Sequence, residues 1–106
     1  MNDKIKIMLV EDNSIIALSE KKQLESLGYS ILLANSGEEA IKLISTKSNI
    51  NLILMDIDLG SGIDGIDTAE KILELTNVPI IFLTSHIEPK IIQKAMKIAS
   101  YGYIPK

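Results

Sequence analysis

The stretch NLILMDIDLG, residues 51–60, governs how the rest of the chain is read. An apolar run at 52–55 stops at Asp56, Asp58 follows two residues later, and Gly60 comes next but one. A short, wholly apolar run between polar residues fits a strand covered on both faces, as in a parallel sheet. Taken alone, two acids at such a strand end are surface punctuation, metal ligands or a nucleophile. The surrounding chain has to separate these.

Outward from this run, strand and helix patterns alternate. Residues 4–10 (KIKIMLV) alternate and then turn fully apolar, as a strand entering a core does. Glu11-Asp12-Asn13-Ser14 breaks that strand, with Asn13 or Ser14 as helix cap. The following helix is expected to reach Leu27, with Leu24 and Leu27 facing inward, and to stop at Gly28. Residues 29–34 read as a second strand. Ser36-Gly37-Glu38-Glu39 is a capping-box pattern for a helix that buries Ala40, Ile41 and Ile44.

Downstream of the opening stretch, Gly60, Gly62 and Gly65 read as a loop, and Ile66, Ala69, Ile72 and Leu73 recur at helical spacing. Residues 78–83 (VPIIFL) form a fourth buried strand. Pro89 suits a first helical turn, and Ile91, Ile92, Ala95, Ile98 and Ala99 make an apolar helix face. Residues 102–104 are a short fifth strand. Five strands alternating with four helices imply a parallel α/β sheet with right-handed crossovers.

Composition narrows the function. The 106 residues fit one domain, and 46% hydrophobic content suffices for one core. A net charge of −3 argues against non-specific nucleic-acid binding. All 11 basic residues are lysines, so any phosphate contact uses a point charge and not a planar guanidinium fork. With 0 cysteines, disulfides and thiolate metal sites are excluded, which suits a reducing compartment. No apolar run approaches the roughly 20 residues of a membrane span. The N-terminus lacks an apolar signal core, so a cytoplasmic location is expected.

In a parallel sheet, ligands bind at the carboxyl ends of the strands. Here those ends carry Glu11-Asp12, Asp56, Thr84-Ser85 and Lys106. Three carboxylates brought together repel one another and call for a cation. As hard oxygen ligands they suit Mg²⁺. Thr84 is placed to donate to one phosphoryl oxygen and Lys106 to pair with another. This is the equipment for phosphoryl transfer to an aspartate.

The combination LVEDN at 9–13, LMD at 54–56, LTS at 83–85 and GYIPK at 102–106 resembles the receiver domain of two-component response regulators, the CheY-like superfamily. The resemblance implies a flavodoxin-like, three-layer fold with sheet order 2-1-3-4-5. It implies that Asp56 accepts a phosphoryl group from a histidine kinase or a histidine phosphotransfer protein. Asp12 then ligates Mg²⁺ directly, Glu11 acts through a metal-bound water, and the Asp58 backbone carbonyl completes the set. Thr84 and Lys106 hold the phosphoryl oxygens, and Tyr103 is the switch aromatic. Asp58 and His86 stand where the family tunes phosphoryl lifetime. No second histidine exists to make His86 a metal ligand.

Two departures stand out. The loop DLGSGIDG is longer than usual for the family and lacks its common proline. The sequence also ends at Lys106, where receivers continue into a fifth helix, so residues 1–106 read as a receiver domain cut after its fifth strand. Without that helix, apolar residues of strands one, three and five are expected to be open to water. A longer natural chain, such as a hybrid sensor kinase or multidomain regulator, or else a homodimer, would cover them. No DNA-binding segment is present, so no direct nucleic-acid contact is expected.

Two other readings compete. Asp56-Ile57-Asp58 also resembles the DxD nucleophile motif of haloacid-dehalogenase-like Mg²⁺-dependent phosphatases, whose motif normally ends the first strand of a larger domain. A receiver fold kept purely as an interaction module is the second. The full set of acids, Thr84 and Lys106 favours a phosphoacceptor that catalyses only its own phosphorylation and dephosphorylation.

Overall fold

A computed structural model describes residues 5–46, 49–57, 64–84 and 103–105. Five strands form one sheet: β1 (Lys6–Val10), β2 (Ser30–Ala34), β3 (Leu52–Asp56), β4 (Ile80–Thr84) and β5 (Tyr103–Pro105). Helices α1 (Ser14–Ser26), α2 (Gly37–Thr46) and α3 (Gly65–Leu75) lie between them. Every pairing is parallel and the order is β2-β1-β3-β4-β5, as the resemblance implied. The helix expected after Pro89 lies outside the described residues.

The chain moves one way across the sheet from β1 to β2 and the other way from β2 to β3. Right-handed crossovers therefore put α1 and α2 on opposite faces. The reversal also leaves a crevice beyond the ends of β1 and β3, the place where such sheets hold ligands.

Side-chain alternation builds the core. Met8, Val10, Ile53, Met55, Ile80 and Phe82 point to one face and meet Ala40 of α2 and Ile66, Ala69 and Ile72 of α3. Phe82, Met8 and Met55 are fully buried there. The helical stripes of α2 and α3 are those expected from spacing, with Ile41, Ile44 and Leu73 half-buried against the same cluster.

Caps set the helix ends. Asn13 is the cap of α1: its Oδ1 accepts from the amides of Ile15 at 3.0 Å and Ile16 at 3.1 Å. Such a cap contributes about 1 kcal/mol. At α2, Ser36 Oγ accepts from the Glu39 amide at 3.1 Å, but the Glu39 carboxylate reaches the Asn35 amide at 2.6 Å. The reciprocal bond of the capping box thus lands one residue earlier than the pattern predicts. Gly28, at φ +99°, lies in the left-handed region that glycine alone adopts readily, and it turns the chain out of α1.

Three expectations are corrected. Leu27 does not face inward but is 72% exposed, because α1 ends at Ser26 and the turn into Gly28 swings Leu27 off the helix face. Gly65 is the first residue of α3 and not part of a loop. Strand one is not open to water: Ile7 and Leu9, on the face opposite the main cluster, are buried. On β3 the matching residues Leu52 and Leu54 are half-buried. Among the described residues, α1 carries three of the exposed large apolar side chains, with Ile15 80% and Leu18 52% exposed beside Ile16, and Ala17 is its buried residue.

Candidate active site at the carboxyl edge of the sheet

Strand register brings the expected residues abreast. Val10 pairs with Met55, so Glu11 follows β1 level with Asp56 at the end of β3. The Glu11 amide donates to the Ala34 carbonyl at 3.0 Å, which extends the β1–β2 ladder one residue past β1. This pins the acidic turn to the sheet. The Asn13 amide donates to Glu11 Oε2 at 3.3 Å, tying the same turn to the start of α1.

Glu11 is 2% and Asp56 5% exposed, whereas Asp12 is open to solvent. Carboxylate oxygens of Glu11, Asp12 and Asp56 all lie within 4.8 Å of one another. Burial of two carboxylates beside a third is costly unless positive charge is close. The donors are hard oxygens only, which fits Mg²⁺ or Ca²⁺ and disfavours softer metals. The burial, spacing and donor type of the three residues thus fit a divalent cation.

The remaining expected residues are placed less completely. Thr84 ends β4, and its partner in register is Pro105 of β5. Tyr103 stands opposite Phe82. The side chains of Thr84 and Tyr103 lie outside the described residues, as do Asp58, His86 and Lys106. The backbone nevertheless brings Thr84 to the same edge as Asp56, since Asp56 pairs with Leu83 one residue before it.

One residue escaped the sequence reading. The Gly65 amide donates to the Ile57 carbonyl at 2.8 Å, which puts the start of α3 directly against the end of β3. Its only signal in the sequence is a glycine downstream of Asp56, in the same glycine-rich stretch as Gly60 and Gly62.

The response regulator receiver domain family model matches residues 7–106. The chain belongs to this family. The receiver is 35% identical over 83 residues to the phyllosphere-induced regulator PhyR of Methylorubrum extorquens, covering 77% of this chain and 31% of PhyR. It superposes on the N-terminal domain of a three-domain response regulator/sensory box/GGDEF protein from Carboxydothermus hydrogenoformans with TM-score 0.85 and 39% identity, over 94% of this chain and 80% of that one. A Burkholderia pseudomallei response regulator, whose structure holds a phosphorylated aspartic acid and a calcium ion, matches with TM-score 0.87 and 26% identity over 98% of this chain and 60% of that one. The receiver spans under half the length of its curated relatives, 31% of PhyR and 47% of the CrdR regulator of Helicobacter pylori among them. Family membership removes the dehalogenase-like phosphatase reading. Among the described residues, no helix is long and apolar enough to cross a membrane.

Proposed function

We propose that this receiver accepts a phosphoryl group on Asp56 from a histidine kinase or histidine phosphotransfer protein in two-component signalling. The observation that carries the reading is the cluster of Glu11, Asp12 and Asp56, two of them buried, at the switch point of the sheet. The phosphorylated aspartic acid and calcium ion of the Burkholderia pseudomallei relative support it.

In the proposed reaction an Asp56 carboxylate oxygen attacks the phosphorus of a phosphohistidine. A P–O bond forms and the P–N bond breaks, its electron pair leaving with the imidazole nitrogen. The product is an aspartyl phosphate, and attack of water on phosphorus returns the carboxylate and inorganic phosphate. Glu11, Asp12 and Asp56, with the backbone carbonyl of Asp58, would hold Mg²⁺, which offsets the negative charge of the carboxylates and the phosphoryl oxygens. The Thr84 hydroxyl donates to one phosphoryl oxygen and the Lys106 ammonium pairs with another. Asp58 and His86 at the mouth tune the lifetime. Movement of Thr84 toward the phosphoryl group, with Tyr103 turning inward, biases a two-state surface. The receiver does not turn over external substrates, it works in the cytoplasm, and it serves as one domain of a longer regulator.

Acetyl phosphate tests this without the cognate kinase. In millimolar Mg²⁺ the intact mass is expected to rise by one phosphoryl group, and EDTA is expected to abolish the rise. An equal rise in EDTA would overturn the metal requirement. No rise in Mg²⁺ would overturn the phosphoacceptor reading.

A further inference from the structure

Two contacts grip the backbone that follows Asp56. On one side the Ile57 amide donates to the Leu83 carbonyl of β4 at 3.2 Å. On the other, the Ile57 carbonyl accepts from the Gly65 amide of α3 at 2.8 Å. The α3 contact leaves no room for a side chain. A Cβ on Gly65 would run into the Asp56 carbonyl oxygen and come within 2.8 Å of the Asp56 carbonyl carbon and of Ile57 Cα.

These are backbone atoms of a buried strand end, so they cannot rotate aside as a long side chain would. Nor is the glycine required by conformation. Gly28, not Gly65, is the described glycine with positive φ. The reason for glycine at 65 is close approach alone.

Helix α3 cannot easily give way either. The Asp64 side chain accepts from the Asp67 amide at 2.8 Å. The Thr68 hydroxyl, on a fully buried residue, donates to the Asp64 carbonyl at 2.6 Å. Ile66, Ala69 and Ile72 anchor the same helix in the core.

We propose that Gly65 is a positioning residue: by seating α3 on the Asp56 backbone, it fixes where the Asp56 carboxylate stands relative to Glu11 and Asp12. The inference rests on the phosphoacceptor reading of Asp56. Fitting a Cβ at 65 requires about 1 Å of relative movement, a displacement that can cost on the order of 10²-fold in rate when it reaches reacting groups.

The test compares wild type, Gly65→Ala and Ile72→Val, each well below its own melting temperature. Ile72 is buried in the same helix but away from Asp56, so Ile72→Val reports destabilisation of α3 alone. At fixed acetyl phosphate and saturating Mg²⁺, Gly65→Ala is expected to slow phosphorylation by about 10- to 100-fold, while Ile72→Val stays within about twofold. Should Gly65→Ala fail to fold, Thr68→Val carries the test. It keeps the side-chain shape, and the Asp64 carbonyl still accepts from the Thr68 amide at 2.9 Å. Loosening the first turn in this way is expected to slow the reaction about threefold or more. A wild-type rate in Gly65→Ala, or in Thr68→Val where Gly65→Ala does not fold, overturns the inference alone. A wild type that gains no phosphoryl group overturns the proposed function, and the inference with it.

Discussion

Asp56→Asn is expected to abolish phosphorylation and, in EDTA, to raise the melting temperature. The first effect follows from removing the proposed nucleophile. The second follows from the cluster: two unit charges at 4.8 Å repel by about 3 kcal/mol at an effective dielectric of about 20. Solvent around the exposed Asp12 offsets part of this, leaving about 1–2 kcal/mol from neutralising Asp56. Each kcal/mol corresponds to about 4–8 °C for a domain of this size. Mg²⁺ should reverse the ranking, because it stabilises the intact site by mass action and the amide variant far less. Thermal melts of both proteins with EDTA and with Mg²⁺ check this. An Asn variant that melts at or below wild type in EDTA would show that the three carboxylates do not strain the fold.

The second large effect belongs to the acidic turn after β1. Neutralising it with Glu11→Gln and Asp12→Asn together leaves Asp56 in place and removes two of the three clustered carboxylates. The Mg²⁺ concentration for half-maximal phosphorylation is expected to rise by about 100-fold or more, since hard cations are held chiefly by carboxylate charge. The reaction at millimolar Mg²⁺ should then be nearly lost although the proposed nucleophile is intact. Phosphorylation measured across a Mg²⁺ series checks it, with far-UV circular dichroism confirming the fold. An unchanged midpoint would place the metal elsewhere.

Much of this architecture was legible because local and long-range signals agree. The apolar run at 52–55 could hardly be anything but an inner strand, and it is β3 at the centre of the sheet. The spacing of Ile66, Ala69 and Ile72 gave α3 its buried stripe. Once the strands were in order, Glu11, Asp12 and Asp56 had to share an edge, and their oxygens do converge.

What was not legible has physical causes. Leu27 keeps helical spacing with Leu24, yet the turn at Gly28 ends the helix before periodicity can place it. Ile7 and Leu9 are buried on the sheet face opposite the main cluster, and the apolar pattern of a strand does not reveal how well each of its faces is covered. Gly65 owes its identity to contact with Asp56 and Ile57, a tertiary approach with no local pattern. The near-complete burial of Glu11 belongs with these, since it depends on the bond that carries its backbone past β1 to Ala34.

The most direct test of the central claim is to map the modified atom. The protein is treated with acetyl phosphate and Mg²⁺, reduced with borohydride, digested, and sequenced by mass spectrometry. Borohydride converts an aspartyl phosphate to homoserine, which marks the residue that carried it. Homoserine is expected at position 56. Homoserine at Asp12 or Asp58, or a phosphoryl group that resists borohydride, would contradict it.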